Sequence, residues 1–127
     1  MVDGGVRPLL DGRVEAARSY ADGQFTFQNN TERFSDLEPD WHDPDVPQLW
    51  RYHLHYFDYV DELMVWALSG ERKRAYGVLR ALVQSWIANN RLVSGDAWHP
   101  YPLSLRIVNW VNALGAFSDE LESEATN

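Results

Sequence analysis

Two prolines one residue apart limit this chain more than any other feature. They sit in Trp98-His99-Pro100-Tyr101-Pro102-Leu103-Ser104-Leu105-Arg106-Ile107-Val108-Asn109-Trp110. Each lacks an N–H and fixes φ, so neither suits a helix interior. Pro102 suits the first helical position, where that N–H has no partner to lose. From Leu103 onward apolar residues recur at helical spacing: Leu103, Ile107, Trp110, Val111, Leu114 and Phe117. The stretch reads as a stiff aromatic loop that delivers Trp98, His99 and Tyr101 to a helix N-terminus, with Arg106 one turn in. Rings, an imidazole, a guanidinium and free backbone N–H groups suit a sugar acid or another anion.

Around that corner the chain reads as helical scaffold. Residues 1–10 read as an arm that packs late or frays, followed by a short helix over about 12–21 that Asp11 caps and Gly23 stops. Gln24-Phe25-Thr26-Phe27-Gln28 alternates as one short strand does, before a polar turn at Asn29-Asn30-Thr31. Residues 31–47 carry three prolines and several Asp. They read as irregular chain anchored by Trp41. Helices are expected over about 47–69, 71–89 and 102–118, and an acidic mobile tail over 119–127. The expected organisation is an N-terminal arm and short helix (1–24), a helical segment (25–118) and that tail. Short loops make neighbouring helices antiparallel. The fold class is therefore all-α: antiparallel helical hairpins in a partial α/α layer, with one short N-terminal strand.

On a wheel of about 100° per residue, Leu49, Trp50, Leu54, Phe57, Val60, Met64 and Ala67 share one face of the 47–69 element. Arg51, His55, Asp58 and Glu62 share the opposite one. His53 falls on the apolar face, as a buried ring or as a cleft residue. His55 lies about 200° away, so the two cannot ligate one metal from a single helix. In the 71–89 element Tyr76, Leu79, Leu82, Val83, Trp86 and Ile87 form the stripe. Glu71, Arg72, Lys73 and Arg74 read as its solvated start.

The totals exclude several classes. Net charge is −8, with nineteen acidic residues against eleven basic ones, of which only Lys73 is lysine. Such a chain repels nucleic-acid phosphates. Acid with almost no lysine also matches a protein that works in concentrated salt. There is no cysteine, hence neither disulfide nor thiolate chemistry. No apolar run approaches the 18 or so residues that would span a membrane. Met1-Val2-Asp3-Gly4-Gly5 lacks the pattern of a secretory signal, so the location is left open, with the cytoplasm as the default. No G-x-S-x-G, G-x-G-x-x-G or H-E-x-x-H is present. Asp40, His42, Asp43 and Asp45 crowd around Trp41 but lack the glycine and spacing of a calcium loop. Neither a metal nor a cofactor is expected. Seventeen aromatic residues, six of them tryptophan, suit either a core of large rings or a sugar-stacking surface. His99 reads as an acid or base, or as a loop histidine bonded to a carbonyl. Arg106 reads as an anion clamp, or as a structural arginine.

Four stretches together resemble a known family. They are Phe25-Thr26-Phe27, Leu49-Trp50-Arg51-Tyr52-His53-Leu54-His55-Tyr56-Phe57-Asp58-Tyr59, Trp86-Ile87, and the 98–110 stretch. Over about 25–117 the chain is similar to the N-terminal segment of heparinase II/III-like polysaccharide lyases. The resemblance implies an incomplete α/α toroid followed by a β-sandwich domain, and cleavage of uronate polysaccharides by β-elimination. In that family an Asn-type group neutralises the uronate carboxylate, and Tyr or His groups move the protons. None of those groups maps onto a residue here. The resemblance thus implies a segment inactive alone, with no catalytic residue of its own and a cleft wall of His53, Tyr56, Trp98, His99, Tyr101 and Arg106. Its partners would be an acidic polysaccharide and a second chain completing the toroid. The alternative is a stand-alone helical module that binds acidic polysaccharide or a partner chain.

Overall fold

A computed structural model describes residues 3–90, 98 and 100–126, with side chains described for 11–90, 98, 100 and 102–124. The protein is mostly helical, with one two-stranded sheet. Helix α1 (Asp3–Ala21) is followed by β1 (Gln24–Phe27) and β2 (Asn30–Arg33). Next come α2 (Gln48–Tyr56), α3 (Val60–Trp66), α4 (Arg72–Asn89), α5 (Pro100–Ala116) and α6 (Ser118–Thr126). None of the described helices is long and apolar enough to cross a membrane.

The start of the chain differs from the expected arm. Helix α1 begins at Asp3 and runs through Asp11, so Asp11 is no cap. Helix α1 packs against α3 and β1, and tertiary packing routinely overrides weak helix propensity. Gly23 stops the helix as expected. Its φ is +82°, and an added Cβ would lie 2.0 Å from the Phe34 carbonyl oxygen. The expected strand is present, but it has an antiparallel partner, pairing Gln24 with Arg33 and Phe27 with Asn30. Gln28 and Asn29 both take positive φ, 52° and 64°, which is what a two-residue hairpin turn needs. Trp50 of α2 donates its indole N–H to the Asn30 carbonyl at 2.8 Å and ties the hairpin down.

The expected 47–69 helix is two helices. The chain breaks at Phe57, which takes a left-handed φ of +62°. That strain is held by packing. The Phe57 ring is fully buried, stacked on Trp41 at 5.7 Å and edge-on to Trp110 at 5.4 Å. A wide turn over Ala67–Glu71, with Gly70 at φ +116°, joins α3 to α4.

Within α2 the two histidines reverse the expected burial. His55, expected on the polar face, is 0% exposed, whereas His53 is half-buried. Residues 38–47, carrying Trp41, cover the face that the wheel left to solvent. Trp41 is buried as expected, and its indole N–H donates to Ser85 Oγ at 3.0 Å. Ser85 in turn donates to Glu38 at 2.9 Å, so the irregular segment is fastened to α4.

Helix α5 starts two residues earlier than expected. Pro100 and Pro102 both fall in its first turn, where N–H groups have no helical partner. Its buried face also differs. Arg106, Ala113 and Phe117 point inward, while Ile107, Val111 and Leu114 of the expected stripe are more than half exposed. The acidic segment is helix α6, not a mobile tail. Arg72 pairs with Glu120 and caps the Ala116 carbonyl, and Arg80 meets Glu124 at 2.8 Å. The charged start of α4 is therefore engaged at Arg72 rather than merely solvated.

Gly23→Ala tests the hairpin junction. The positive φ alone should cost roughly 1–3 kcal/mol in urea denaturation, and the clash with Phe34 adds to it. A Gly23→Ala protein as stable as the parent would contradict the packing described.

Candidate functional site

Of the aromatic corner, Trp98 and Arg106 are described, and Arg106 faces inward. Arg106 is 2% exposed. Its guanidinium lies 4.1 Å from the Trp86 ring centre and 5.7 Å from those of Trp98 and Trp110. Its Nη1 donates to the His55 carbonyl at 3.3 Å. Burial brings its pKa down to about 10, against a smaller opposing pull from Tyr59. It stays charged at neutral pH, and among the described residues three indole rings face it. Trp98 is half-buried, and its indole N–H donates to the Asn90 carbonyl at 3.2 Å. Tyr56 is buried, and its backbone carbonyl accepts from Asn109 Nδ2 at 3.0 Å. His99 and the side chain of Tyr101 lie outside the described residues.

His53 leads elsewhere. Its ring stacks on Phe27 at 5.5 Å and meets Tyr56 edge-on at 4.9 Å. It lines a polar pocket of about 330 Å³. Helix α1 contributes Arg13 and Tyr20, and the hairpin contributes Thr26, Phe27 and Gln28. Asp58 and Tyr59, in the turn that Phe57 forces, supply the third side, and Asp61 and Glu62 of α3 the fourth. Of the six residues marked out by sequence, His53 is the one found among this lining.

The electrostatics of the pocket are those of crowded carboxylates. Burial holds Asp58 above the usual carboxylate range, His53 offsets part of this, and Asp61 adds to it. Burial likewise raises Glu62, opposed by its backbone N–H and by Arg13, and increased by Asp58 and Asp61. The buried Tyr20 hydroxyl is raised too, first by burial and then by Glu62 and Asp58. Perturbed groups converging on a cavity mark a candidate site. Such carboxyls can hold a cation or pass a proton. Among the described residues no group of three or more His, Asp or Glu is placed to hold a metal ion.

Sequence reasoning missed Tyr20, Arg13, Asp58 and Glu62. A single wheel over 47–69 put Asp58 and Glu62 on a solvated face opposite His53. The left-handed Phe57 resets the helical phase and brings all three to one cavity. An aromatic residue at φ above zero leaves no trace in apolar spacing. The partners on α1 are some thirty residues or more away in sequence.

A second concavity, about 210 Å³, is apolar. It lies among α4, α5 and α6, lined by Leu79, Val83, Trp110, Ala113, Leu114 and Leu121. Leu114 also belongs to the exposed apolar row of α5.

Among family models, curated proteins and solved structures, none matches this chain.

Glu62→Gln separates the pocket's cost from its use. A carboxyl whose folded pKa is above its unfolded value destabilises the fold when ionised, and the penalty is relieved as pH falls through the folded pKa. Glu62→Gln should therefore raise the melting temperature by a few degrees at pH 7. The gain should vanish below about pH 4, where the carboxyl is protonated in both states. A lower melting temperature at pH 7 would contradict the assignment.

Proposed function

We propose that this chain is the N-terminal helical part of a heparinase II/III-like polysaccharide lyase. In that reading it forms one wall of a partial α/α toroid and supplies none of the proton-transferring groups. The observation that carries the reading is the unpartnered apolar row on α5. Ile107, Val108, Val111 and Leu114 are each 54–61% exposed on one helix. Single exposed apolar residues are ordinary, but a row beside an apolar groove marks a surface built to be covered. In a layered helical domain the cover is the next helical hairpin. It would come from a continuation of the toroid or from a second chain completing it.

The chemistry agrees with that division of labour. A uronate C5 proton becomes acidic enough to remove only when the neighbouring carboxylate charge is masked. Arg106 is wrapped in indoles and offers a carboxylate no open face. The substrate class in this reading is a uronate-containing polysaccharide, and the elimination step belongs to residues beyond these.

The 127-residue chain should bind an apolar dye, self-associate in a concentration-dependent way and release no unsaturated uronate from polygalacturonate. A dye-silent monomer that is retarded in a polygalacturonate gel, with Trp98→Ala losing the shift, would replace this reading by a stand-alone binding module. Unsaturated product formed by the chain alone would overturn it.

A further inference from the structure

We propose that the apolar face of α5 pairs with the same face of a second copy of this chain, helix against helix and antiparallel, about a two-fold axis at Val111. The proposal rests on the reading above that this face is a covered surface, and it names the cover. Of the seven large apolar side chains exposed among the described residues, Ile107, Val108, Val111 and Leu114 lie on α5. Ile87 is a fifth, one turn beyond Val83, which lines the adjoining apolar groove. The spacing of the row selects the partner. Ser104, Ile107, Val111, Leu114 and Ser118 follow one another at steps of three, four, three and four residues, the alternation of a coiled-coil seam. Turned end for end about Val111, the row meets itself. Val111 faces Val111, Ile107 faces Leu114, and Ser104 faces Ser118. A surface that is its own complement in reverse is what an isologous two-fold interface needs.

Charge points the same way. At a net charge of −8, two copies repel over most of their surface. Along α5 the one charged residue is Arg106, and it is buried. At the groove beside the row, Arg80 pairs with Glu124 at 2.8 Å and Arg72 pairs with Glu120, so these charges are met within one copy. The row therefore lets two acidic chains approach without opposing like charges, and interface cores are depleted in charged groups for that reason. The antiparallel sense adds an attraction. With Ser118 opposite Ser104, Asp119 at the start of α6 comes near the first turn of the second copy's α5, which is the positive end of that helix. A parallel pairing would instead bring the two Asp119 carboxylates together. The contact is one helix pair, near or below the roughly 1,200 Å² that marks the low end of specific interfaces, so association in the micromolar range is expected.

Sedimentation velocity of the full chain across micromolar concentrations tests the pairing. A closed monomer–dimer equilibrium is expected. Val111→Asp should weaken it by about tenfold or more, with unchanged circular dichroism because the position is exposed. Leu68→Asp, at an 83% exposed site in the α3–α4 turn, should leave it intact. The chain has no cysteine, so introduced thiols report the register. On oxidation Val111→Cys should cross-link to itself. A mixture of Ile107→Cys and Leu114→Cys should form the mixed disulfide in preference to either self-pair. The proposal is overturned by a parent that stays monomeric, by species that grow past the dimer, or by a Val111→Asp protein that dimerises as the parent does. It also falls if the 107 and 114 thiols prefer their own kind, the mark of a parallel contact. A monomer that still binds the apolar dye removes this proposal and leaves the lyase reading standing. Unsaturated uronate released by the chain overturns that reading alone.

Discussion

One buried imidazole joins three parts of this molecule. Trp86 of α4 donates its indole N–H to His55 Nδ1 at 2.9 Å. That bond fixes the neutral tautomer, so Nε2–H donates to the Trp41 carbonyl, also at 2.9 Å. The His55 carbonyl then accepts from Arg106 of α5, whose guanidinium lies over Trp86. A 0%-exposed histidine with both ring nitrogens engaged has no spare valence. Losing either partner would leave a buried polar group unpaired, at about 1–3 kcal/mol each.

The rest of the architecture follows from this node. Trp41 is pinned between His55 and Ser85, so residues 38–47 close over α2. With Trp41 fixed, the Phe57 ring stacks beneath it and the chain turns left-handed there. The turn ends α2 and starts α3 in a new phase. That phase carries Asp58, Asp61 and Glu62 round to the His53 side, against Tyr20 of α1. The polar pocket is thus a consequence of how the aromatic core is tied, and its crowded carboxylates exist because the core tolerates them. The same node withdraws Arg106 from solvent. A residue type that reads in sequence as an anion clamp is here an internal cation among indoles.

Much of the scaffold was legible. Helical spacing located α4 and α5 closely, Gly23 and Gly70 fell at breaks, and alternation at Phe25 and Phe27 marked β1. What misled was the assumption that apolar means inward. On α5, Ile107, Val111 and Leu114 face out while Arg106 faces in, where three indole rings and the His55 carbonyl receive its guanidinium. Likewise His55 is inside, since Trp41 arrives from a segment with no periodicity to betray where it packs. Helix α6 was hidden because its acidic run has little apolar signal, and its support comes from Arg72 and Arg80 far earlier in the chain. Of the candidate site only His53 was visible beforehand. Its pocket depends on a strained residue and on contacts across more than thirty positions.

The central claim is that Arg106 and Trp86 form one energetic unit at the heart of the fold. A double-mutant cycle on urea unfolding, with Arg106→Met, Trp86→Leu and the combined variant, measures it directly. The account predicts a coupling of about 2 kcal/mol, as a desolvated cation over an indole should give. Additive losses would contradict it.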